Sequence, residues 1–441
     1  MHDASRKPPE RCNVAVVGGG PAGLATAAEL ARLGVPDVIV LERESVAGGI
    51  PRHCDHSPFG MREFGRCWRG PRYAKHLLER TQKAGARVHV NTTVVAANAD
   101  GRLTLATTHG ASRLEANRVV LSTGARETPR AARLVSGQRP LGITTTGALQ
   151  AMIYLKRKTP FKRPLIVGTE LISFSALLTC RHAGIKPVAM IEQNNRITAR
   201  SGAEALPGLL GIPVHLETEL VEILGAQRVT GARLMHAGGA TENLTCDGVL
   251  FTGEFTPESA LLRMGHIETD AHSGGPLVDQ FGRCSDPAYF AAGNLLRGVE
   301  TAGWCWKEGV QVARCVHLSL AGRLPHSAQR ARIAFSDPLI KYVVPQTISM
   351  PSPESGAAGM KHLQLRFTTR AKRRISLCSD SQELQSKSIH ALPERRVLLP
   401  LGKQVYSSQP SVLRIEIDRV PQSASARLQL RFKNQHVHRR D

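Results

Sequence analysis

The sequence lacks any run of eighteen or more apolar residues, so we expect no membrane-spanning helix and no membrane insertion. Its first residues are polar, and the apolar run that follows, Cys12 to Val17, has only six residues. Because a secretory signal needs a longer apolar stretch and a small-residue cleavage site, we expect a protein that stays in the cytoplasm.

Cysteine occurs nine times but never as a C-x-x-C pair. The absence of such pairs argues against a zinc ribbon, a self-contained iron–sulfur cluster and a thioredoxin-type dithiol. An odd number of scattered cysteines in a long chain also disfavours a disulfide framework and fits a reducing compartment. Candidate metal ligands cluster at His53, Cys54, Asp55 and His56, but three ligands within four residues of one loop would have awkward geometry and no further ligand is evident, so we expect no metal site.

Aromatic residues are scarce, at 4% of the 441 residues, whereas positive charge is abundant. The net charge is +22, and residues 331–441 carry 19 Lys and Arg against 8 Asp and Glu. Such charge attracts nucleic acid, anionic membranes or acidic proteins. Nucleic-acid sites usually interleave basic and aromatic side chains. Nucleic acid is therefore disfavoured as a partner, and the basic tail is either a solvated surface or a docking surface for an acidic partner subunit.

Two stretches of the chain have the pattern strand, turn, helix, strand. The apolar run up to Val17 is followed by a Gly-rich turn, an Ala-rich stretch and a second apolar run that ends at Glu42. The pattern returns after Gly168, and the spacings Gly18 to Glu42 and Gly168 to Glu192 are both 24 residues. Equal spacing predicts two mononucleotide-binding units, one inserted in the other.

Toward the C-terminus the sequence pattern changes. Residues 349–359 are rich in Pro, Ser, Gly and Ala, which is a linker composition, and beyond them apolar and polar residues alternate as in a small β-sandwich. We predict an α/β protein with two interleaved Rossmann-like domains and a C-terminal all-β, sandwich-like domain. The predicted divisions are a first domain in two parts (1–150 and 271–330), an inserted domain (151–270), a linker (331–360) and a small basic β domain (361–441).

The first turn carries the strongest functional signal, G-x-G-x-x-G at Gly18, Gly20 and Gly23, with Glu42 at the end of the next strand. The first glycine permits a tight turn, the second lets a pyrophosphate approach the backbone, and the third lets helix and strand pack closely. The helix N-terminus supplies N–H donors for phosphates, and the acid can accept ribose hydroxyls. This context predicts a dinucleotide site.

Later segments indicate that the dinucleotide is FAD. A Thr-Gly turn follows an apolar strand at Thr123, and the same pattern recurs at Thr252. A third strand ends in Gly293 and Asn294, and the amide of Asn294 can bond a ribityl hydroxyl. These turns resemble those of two-dinucleotide-binding-domain flavoproteins of the glutathione-reductase-like class. The segment GGIPRHCDHSPFG at residues 48–60 is similar, more narrowly, to FAD-binding subunits of sarcosine-, opine- and proline-oxidising complexes and of hydrogen cyanide synthase.

This resemblance covers residues 12–325 and implies a set of FAD contacts. In that class the Gly-Gly segment passes over the flavin, the Thr-Gly turn touches FAD, and a late Gly-Asp motif binds the ribityl chain. The first domain would therefore bind FAD, and the inserted domain would be of the NAD(P) type. The predicted FAD-binding residues are Gly18, Gly20, Pro21, Ala22, Gly23, Glu42, Arg43, Gly48, Gly49, Ile50, Val95, Thr123, Gly124, Gly293 and Asn294.

Two positions depart from the class. Asn294 stands where Asp is usual, which keeps a hydrogen-bond acceptor and loses a negative charge. In the second turn Glu170 replaces the second glycine and Ser173 the third. Two negative charges ~4 Å apart at an effective dielectric of about 20 repel each other by about 4 kcal/mol. The sequence therefore makes NAD(P) a doubtful second cofactor.

Disulfide reductases of this class place two cysteines five residues apart after the Gly-Gly segment, but the cysteine that follows Cys54 is Cys67. Disulfide exchange is therefore disfavoured. The candidate catalytic residues are His53 and Cys54, on the segment expected to lie against the flavin ring, and Glu300. The alternative for residues 53–56 is a packed loop that satisfies its own backbone.

The resemblance implies an FAD-dependent oxidoreductase. We expect the electron-relay subunit of a heteromeric dehydrogenase or oxidase that acts on an amine, an amino acid or a hydroxy acid. Its partner would be a second flavoprotein subunit, which would handle the substrate. The alternatives are a self-contained NAD(P)H-dependent flavin reductase and a non-catalytic, FAD-bound scaffold subunit.

Overall fold

The computed structural model describes residues 7–199, 202, 204–325, 330–350, 359–379, 382–407 and 410–418. None of the helices in these ranges is long and apolar enough to cross a membrane. Those of twelve residues or more are α1 (Pro21–Arg32), α2 (Gly70–Lys83), α3 (Leu171–His182) and α4 (Ala302–Leu320). Shorter helical segments are Ile50–His53, Met61–Phe64, Ala99–Gly101, Arg130–Arg133, Thr146–Gln150, Ala151–Leu155, Ala205–Leu209, Ala260–Arg263, Gly293–Leu295 and Lys403–Ser407.

The first sheet contains the predicted strand–turn–helix–strand unit. Its central strand is buried on both faces, as a parallel strand covered on both sides should be, and Val16 pairs with Val40 on one side and Val120 on the other. Helix α1 begins with Pro21, whose fixed φ suits a first helical turn, and packs Leu24 against the sheet. The strands in sheet order are Arg87–His89, Val38–Leu41, Arg11–Val17, Gly110–Leu121, Arg102–Thr107 and Thr92–Asn98, and Tyr289–Ala291 pairs with Gly110–Leu121.

The second parallel sheet contains the second unit, with α3 as its helix. Because the chain returns to the first sheet only at Tyr289–Ala291, the second unit is inserted in the first, as predicted. Two strands of the inserted part, Ser136–Gly137 and Ile143–Thr145, precede residue 151, so it begins earlier than the predicted division. The parallel strands, in sheet order, are Val214–His215, Ala189–Ile191, Pro164–Val167, Gly248–Phe251 and Ile143–Thr145. An accompanying sheet has the strands Thr241–Thr245, Gly231–His236, Thr218–Leu224 and Ser136–Gly137. Ala125–Glu127 pairs with Phe255–Pro257 where the chain crosses between the units.

The C-terminal region is rich in strands and forms two sheets around one core, as the alternating pattern predicts. Three of its strands, between residues 330 and 349, cover much of the stretch 331–360 that was predicted to be a linker. The linker composition itself lies at residues 349–359; the apolar runs before it are short and are separated by Pro338 and Pro345, so they give a weak strand pattern. Residues 351–358 and a strand expected around Leu430 lie outside the described residues. The strands are Thr347–Ser349, Arg330–Ala334, Val412–Ile417, Ala371–Ser379 and Gln382–Ala391 in one sheet, and Ile340–Val344, His362–Phe367 and Val397–Pro400 in the other.

This C-terminal unit is packed on the first sheet. Tyr342 and Val344 join the apolar core on the face of the first sheet opposite α1. A buried ion pair, Arg283 with Asp279, lies at the same boundary and hydrogen-bonds Ser349 of the C-terminal unit. The C-terminal unit therefore shares a buried boundary with the first sheet.

Candidate functional site

The glycines of the first turn form a cradle. Gly18 has φ +105°, and a Cβ atom there would lie 2.5 Å from the carbonyl oxygen of Ser122. A Cβ on Gly23 would lie 1.9 Å from the carbonyl oxygen of Gly18, so this position permits only glycine for close helix–strand packing. A Cβ on Gly20 would meet nothing closer than the Cα of Gly49, at 4.0 Å. The space in front of Gly20 is open, as a pyrophosphate approach requires.

Glu42 lies at the rim of this cradle, and its carboxylate can accept further hydrogen bonds. One carboxylate oxygen accepts the N–H of Gly19 at 2.8 Å, and the other accepts the N–H of Glu44 at 2.9 Å. Each oxygen has a second lone pair for a ribose hydroxyl. No side chain caps α1, whose N-cap residue is Gly20, so its first N–H groups are available to phosphate oxygens. These residues fit the adenosine and pyrophosphate parts of FAD.

The other predicted FAD residues come from distant segments that meet at this cradle. The N–H of Gly48 donates to the carbonyl of Gly19 at 2.7 Å, and Gly49 passes so close that a Cβ on it would lie 2.8 Å from the Cα of Gly20. On the other side, a Cβ on Gly293 would lie 2.7 Å from the Cβ of Ala22. The Gly-Gly segment and the late glycine therefore both lie against the first turn.

For the remaining FAD candidates, contacts with FAD stay predictions. Ile50 and Val95 are half exposed, at 52% and 43%, and Arg43 is also exposed. Thr123 follows the strand that ends beside Gly18, but its hydroxyl donates to the carbonyl of Glu258. Gly124 follows it with a positive φ.

His53 and Cys54 are both buried. The Cys54 thiol donates to the side-chain oxygen of Gln150 at 3.3 Å, and burial raises its pKa to about 12. A thiol with that pKa is protonated at neutral pH and is a poor nucleophile. Neither ring nitrogen of His53 has a hydrogen-bond partner in the described part of the chain, and burial lowers the pKa of this imidazole to about 4. It is therefore neutral, and its catalytic role stays a prediction.

Glu300 belongs to a network that no sequence motif signals. Its carboxylate oxygen lies 3.3 Å from Arg366 and 3.8 Å from Arg396, two arginines of the C-terminal unit. Its backbone N–H donates to the Asn294 side chain at 2.7 Å, and that side chain donates back to the Glu300 carbonyl. Asn294 thereby fixes the segment 294–300, and the C-terminal unit is connected to the residue predicted to bind the ribityl chain.

The second turn differs from the first at the position of Glu170. Its carboxylate fills the space in front of Gly253, where a Cβ would lie 2.4 Å from a Glu170 oxygen, and accepts the N–H of Glu254 at 2.8 Å. Burial raises the pKa of this carboxyl. At the position of the third glycine, the Ser173 hydroxyl lies 2.6 Å from the Thr252 hydroxyl. With glycine at these positions a pyrophosphate could approach the backbone of the second turn, but here the side chains of Glu170 and Ser173 fill that space.

A second set of contacts fills the ribose end of the same turn. Glu192, the counterpart of Glu42, accepts hydrogen bonds from the hydroxyls of Thr169 and Thr198 and from the N–H of Asn194. The N–H of Ala199 donates to the carbonyl of Thr169 at 2.9 Å. Residues 194–199 therefore lie over the turn, and these residues do not fit a pyridine nucleotide. The segment is itself fixed by an ion pair of 2.9 Å between Arg196 and Glu394 of the C-terminal unit.

The first turn offers backbone N–H donors and a carboxylate acceptor for a nucleotide cofactor. In the described ranges no group of three or more His, Cys, Asp or Glu could hold a metal ion. No disulfide joins any of the nine cysteines, all of which lie in the described ranges, and Cys67 is the exposed one among them. The first turn is the part of the molecule whose residues match a nucleotide cofactor.

Comparison with known proteins agrees with this geometry. The sequence model of a family described as pyridine nucleotide-disulphide oxidoreductase matches residues 12–309, well over half of the chain. One of the subunits of opine oxidase from Rhizobium meliloti (strain 1021) is 27% identical over 189 residues, which are 43% of this chain and 39% of that protein. The alpha subunit of sarcosine oxidase from the same strain is 26% identical over 319 residues, which are 68% of this chain and 29% of that protein. The chain thus spans well under half of the length of both relatives.

Solved structures share the fold at low sequence identity. Thioredoxin reductase from T. acidophilum is 21% identical with a TM-score of 0.60, and the match covers 71% of this chain and 100% of that one. L-proline dehydrogenase from P. horikoshii is 16% identical with a TM-score of 0.52, and the match covers 72% of this chain and 57% of that one. These similarities establish the fold, with its two interleaved Rossmann-like units.

Proposed function

Because the chain belongs to the pyridine nucleotide-disulphide oxidoreductase family, whose members are oxidoreductases with FAD, we propose that it is an FAD-binding electron-relay subunit. The complex would be a dehydrogenase or oxidase that acts on an amine, an amino acid or a hydroxy acid. Two relatives support this proposal, since one is named as a subunit of opine oxidase and the other as a subunit of sarcosine oxidase. A second flavoprotein subunit is the proposed partner.

The contrast between the two turns carries this proposal. In the first turn Gly20 faces open space and Glu42 keeps free lone pairs. In the second turn Glu170 occupies the corresponding space and Glu192 is bonded by two threonine hydroxyls. A protein that has a place for FAD but none for a pyridine nucleotide receives its electrons from another source, such as a partner subunit.

The cysteines indicate that this chain does not carry out the disulfide exchange for which the family is named. Disulfide exchange needs an accessible thiolate with a second thiol beside it. Cys54 is buried with a pKa raised to about 12, and its thiol contacts an amide rather than another thiol. The exposed Cys67 is free. This arrangement favours electron transfer through the flavin without a protein disulfide.

The chain's own residues would bind and orient the cofactor. When bound, FAD supplies hydride and single-electron chemistry, which no amino-acid side chain provides. The N–H groups at the start of α1 would bind the pyrophosphate, Glu42 the ribose hydroxyls, and Asn294 the ribityl chain. Glu300, with Arg366 against it, would hold the segment that carries Asn294.

An anaerobic absorbance spectrum of the purified protein tests the proposal. We expect a flavin spectrum that stays oxidised when NADH and then NADPH are added, because Glu170 and residues 194–199 close the second turn. Dithionite should bleach the same sample, which proves that the flavin can be reduced. The variant E170G is a useful control, and we expect it to stay oxidised with NADH as well, since the bonds between Thr169, Glu192 and Thr198 remain.

Two results would contradict the proposal. Prompt bleaching of the wild type by NADH or NADPH would make the protein a self-contained flavin reductase. A purified protein that neither carries FAD nor binds added FAD would remove the basis for any redox role.

A further inference from the structure

The three tryptophans of the chain lie close together, because Phe64 packs on Trp68 and Arg80 lies over the rings of both Phe64 and Trp306. Trp68 precedes α2, and Trp304 and Trp306 lie in the first turns of α4, the helix that begins after the Asn294 segment. The two helices are connected by the short helix Met61–Phe64, whose Arg62 side chain packs on Gly303. We call this surface, formed by residues 61–80 with Trp304 and Trp306, the tryptophan face.

An arginine is stacked on each of these tryptophans. The guanidinium of Arg62 lies 4.1 Å from the ring centre of Trp304, that of Arg72 lies 5.3 Å from Trp68, and that of Arg80 lies 5.5 Å from Trp306. Cation–π contacts of this kind hold long side chains in place before a partner binds, so that binding costs less conformational entropy. The tryptophan face is therefore a set of pre-positioned cations.

The positive charge of this face is largely uncompensated. Residues 61–83 contain seven Lys and Arg but only two Glu. One of these glutamates bonds the Tyr73 hydroxyl, and the other lies beside Lys75 and His76. Within the part of the chain that the structure describes, no carboxylate forms an ion pair with Arg62, Arg66, Arg72 or Arg80. Exposed arginines without carboxylate partners attract acidic groups from outside the molecule.

The face also has a concave part. An open cavity of about 660 Å³ is lined by Arg66, Cys67, Trp68, Arg72 and His76. The Trp68 and His76 rings are stacked with centres 4.3 Å apart and form one wall of the cavity. Tryptophan and arginine around a cavity are the residues that most often carry the binding energy of protein–protein interfaces.

We propose that the tryptophan face docks an acidic surface of a partner protein subunit. This inference rests on the proposed function, because it gives the partner a place beside α4, the helix that begins next to the predicted flavin site. A docked partner would lie near the flavin, as electron transfer between subunits requires. The charge of the face supplies attraction over a distance, and its fixed arginines supply specificity.

Other occupants fit the face less well. A second copy of this chain in a symmetric contact would bring the same cations face to face, which is repulsive. Nucleic acid needs exposed aromatic faces on which bases stack, but here guanidinium groups already lie over the tryptophan rings. A membrane surface would require a broader apolar rim, whereas the large apolar side chain exposed in residues 61–80 is Met61.

Tryptophan fluorescence offers a direct test, because every tryptophan of the chain lies in this face. The probe is a short poly-L-glutamate peptide titrated into the full-length protein at low and at high salt. We expect the emission to change on binding, and the affinity to fall as salt is added. In the variant R66E/R72E/R80E the affinity should fall at least about tenfold.

A matched variant separates this face from the general positive charge of the chain. R370E/K372E/R373E reverses the same number of charges in the C-terminal unit, where Arg370 and Lys372 are exposed. We expect its affinity for poly-L-glutamate to stay within about twofold of the wild type. The milder variant R66Q/R72Q/R80Q should give an intermediate loss, and melting curves should confirm that all variants fold.

Three outcomes would overturn the inference. The first is an emission spectrum that poly-L-glutamate does not alter, and the second is an equal loss of affinity in both charge-reversed variants. The third is tighter, Arg66-dependent binding of an oligo-dT probe, which would make the face a nucleic-acid site. The flavin spectrum of the same samples is read separately, so loss of the cofactor and loss of docking are distinguishable.

Discussion

At the scale of single residues, glycine stands at the three positions of the first turn for different physical reasons. Gly18 is required by its positive φ and Gly23 by a contact with the carbonyl oxygen of Gly18, so both belong to the fold. Gly20 has ordinary extended backbone, φ −80° and ψ −175°, and faces open space. Its lack of a side chain serves the ligand and not the fold.

This difference gives a paired prediction. We expect G20A to melt within a few degrees of the wild-type apoprotein but to bind FAD at least about tenfold more weakly, because the added methyl group lies in the pyrophosphate cradle. G23A should instead lower the free energy of unfolding by about 3 kcal/mol or more through overpacking. Thermal melting and FAD titration of both variants would check this. Equal FAD affinity in G20A and wild type would contradict the placement of the phosphates.

Buried His53 predicts a dependence of stability on pH. Its pKa is lowered to about 4 in the folded protein, whereas an unfolded histidine titrates near its ordinary pKa of about 6.5. Between these two values the unfolded state binds more protons, so stability falls as the pH drops from about 6.5 to about 4, by at most about 3 kcal/mol.

The variant H53L should lose this contribution, because leucine does not titrate. Urea unfolding at several pH values would measure the slope for wild type and variant. H109Q, at an exposed histidine, is the matched control and should keep the wild-type slope. A slope unchanged in H53L would show that the imidazole is not buried in neutral form.

At the scale of elements, the segment between Asn294 and Glu300 connects the C-terminal strands to the predicted flavin site. Arg366, on the strand His362–Phe367, donates to the carboxylate of Glu300, to the carbonyl of Pro393 and to the hydroxyl of Tyr342. A strand far along the chain therefore fixes the residue that is expected to bind the ribityl group.

We accordingly predict that R366A weakens FAD binding about tenfold, although Arg366 lies outside both Rossmann-like units. Without Arg366 the segment 294–300 loses its connection to the C-terminal strands, and Asn294 is less well oriented. Flavin retained after dialysis is the measurement. R374A, an exposed arginine of the same unit paired with Glu383, is the control and should retain FAD like the wild type. Equal retention in both variants would make the C-terminal unit irrelevant to the cofactor.

At the scale of the whole molecule, the C-terminal unit holds the other two parts together. It contacts the inserted part through Glu394 and Arg196, and the first sheet through Ser349, Arg283 and Asp279. These contacts include a fully buried carboxylate, that of Asp279. The three parts should therefore unfold as one cooperative unit.

Replacement of Arg283 tests whether this boundary stabilises the whole molecule. R283M leaves the Asp279 carboxylate buried without its cation, and this should cost roughly 3–5 kcal/mol of unfolding free energy. Calorimetry should give one transition for the wild type and a clearly lower midpoint for R283M. R332A, at an exposed arginine nearby, should melt like the wild type. An unchanged midpoint in R283M would contradict the role of this boundary.

The sequence by itself determined the two strand–turn–helix–strand units and the FAD turn. This information is local, since a glycine spacing, a buried apolar run and an acid 24 residues from the first glycine lie within one short stretch of chain. The substitution at Glu170 was also visible there, and it pointed to the loss of pyridine nucleotide binding. The alternating C-terminal pattern indicated strands, although three strands among residues 331–360 were missed because their apolar runs are short.

Only the tertiary structure decided how distant residues meet. The closure of the second turn by residues 194–199, the connection of Arg366 to Glu300, and the stacking of arginines on Trp304 and Trp306 each join residues from separate elements. No periodicity or spacing encodes such pairings, because the packing of sheets and helices sets them. The physical reason is that hydrophobic pattern fixes which face of an element is buried, whereas specific polar contacts depend on the final arrangement of all elements.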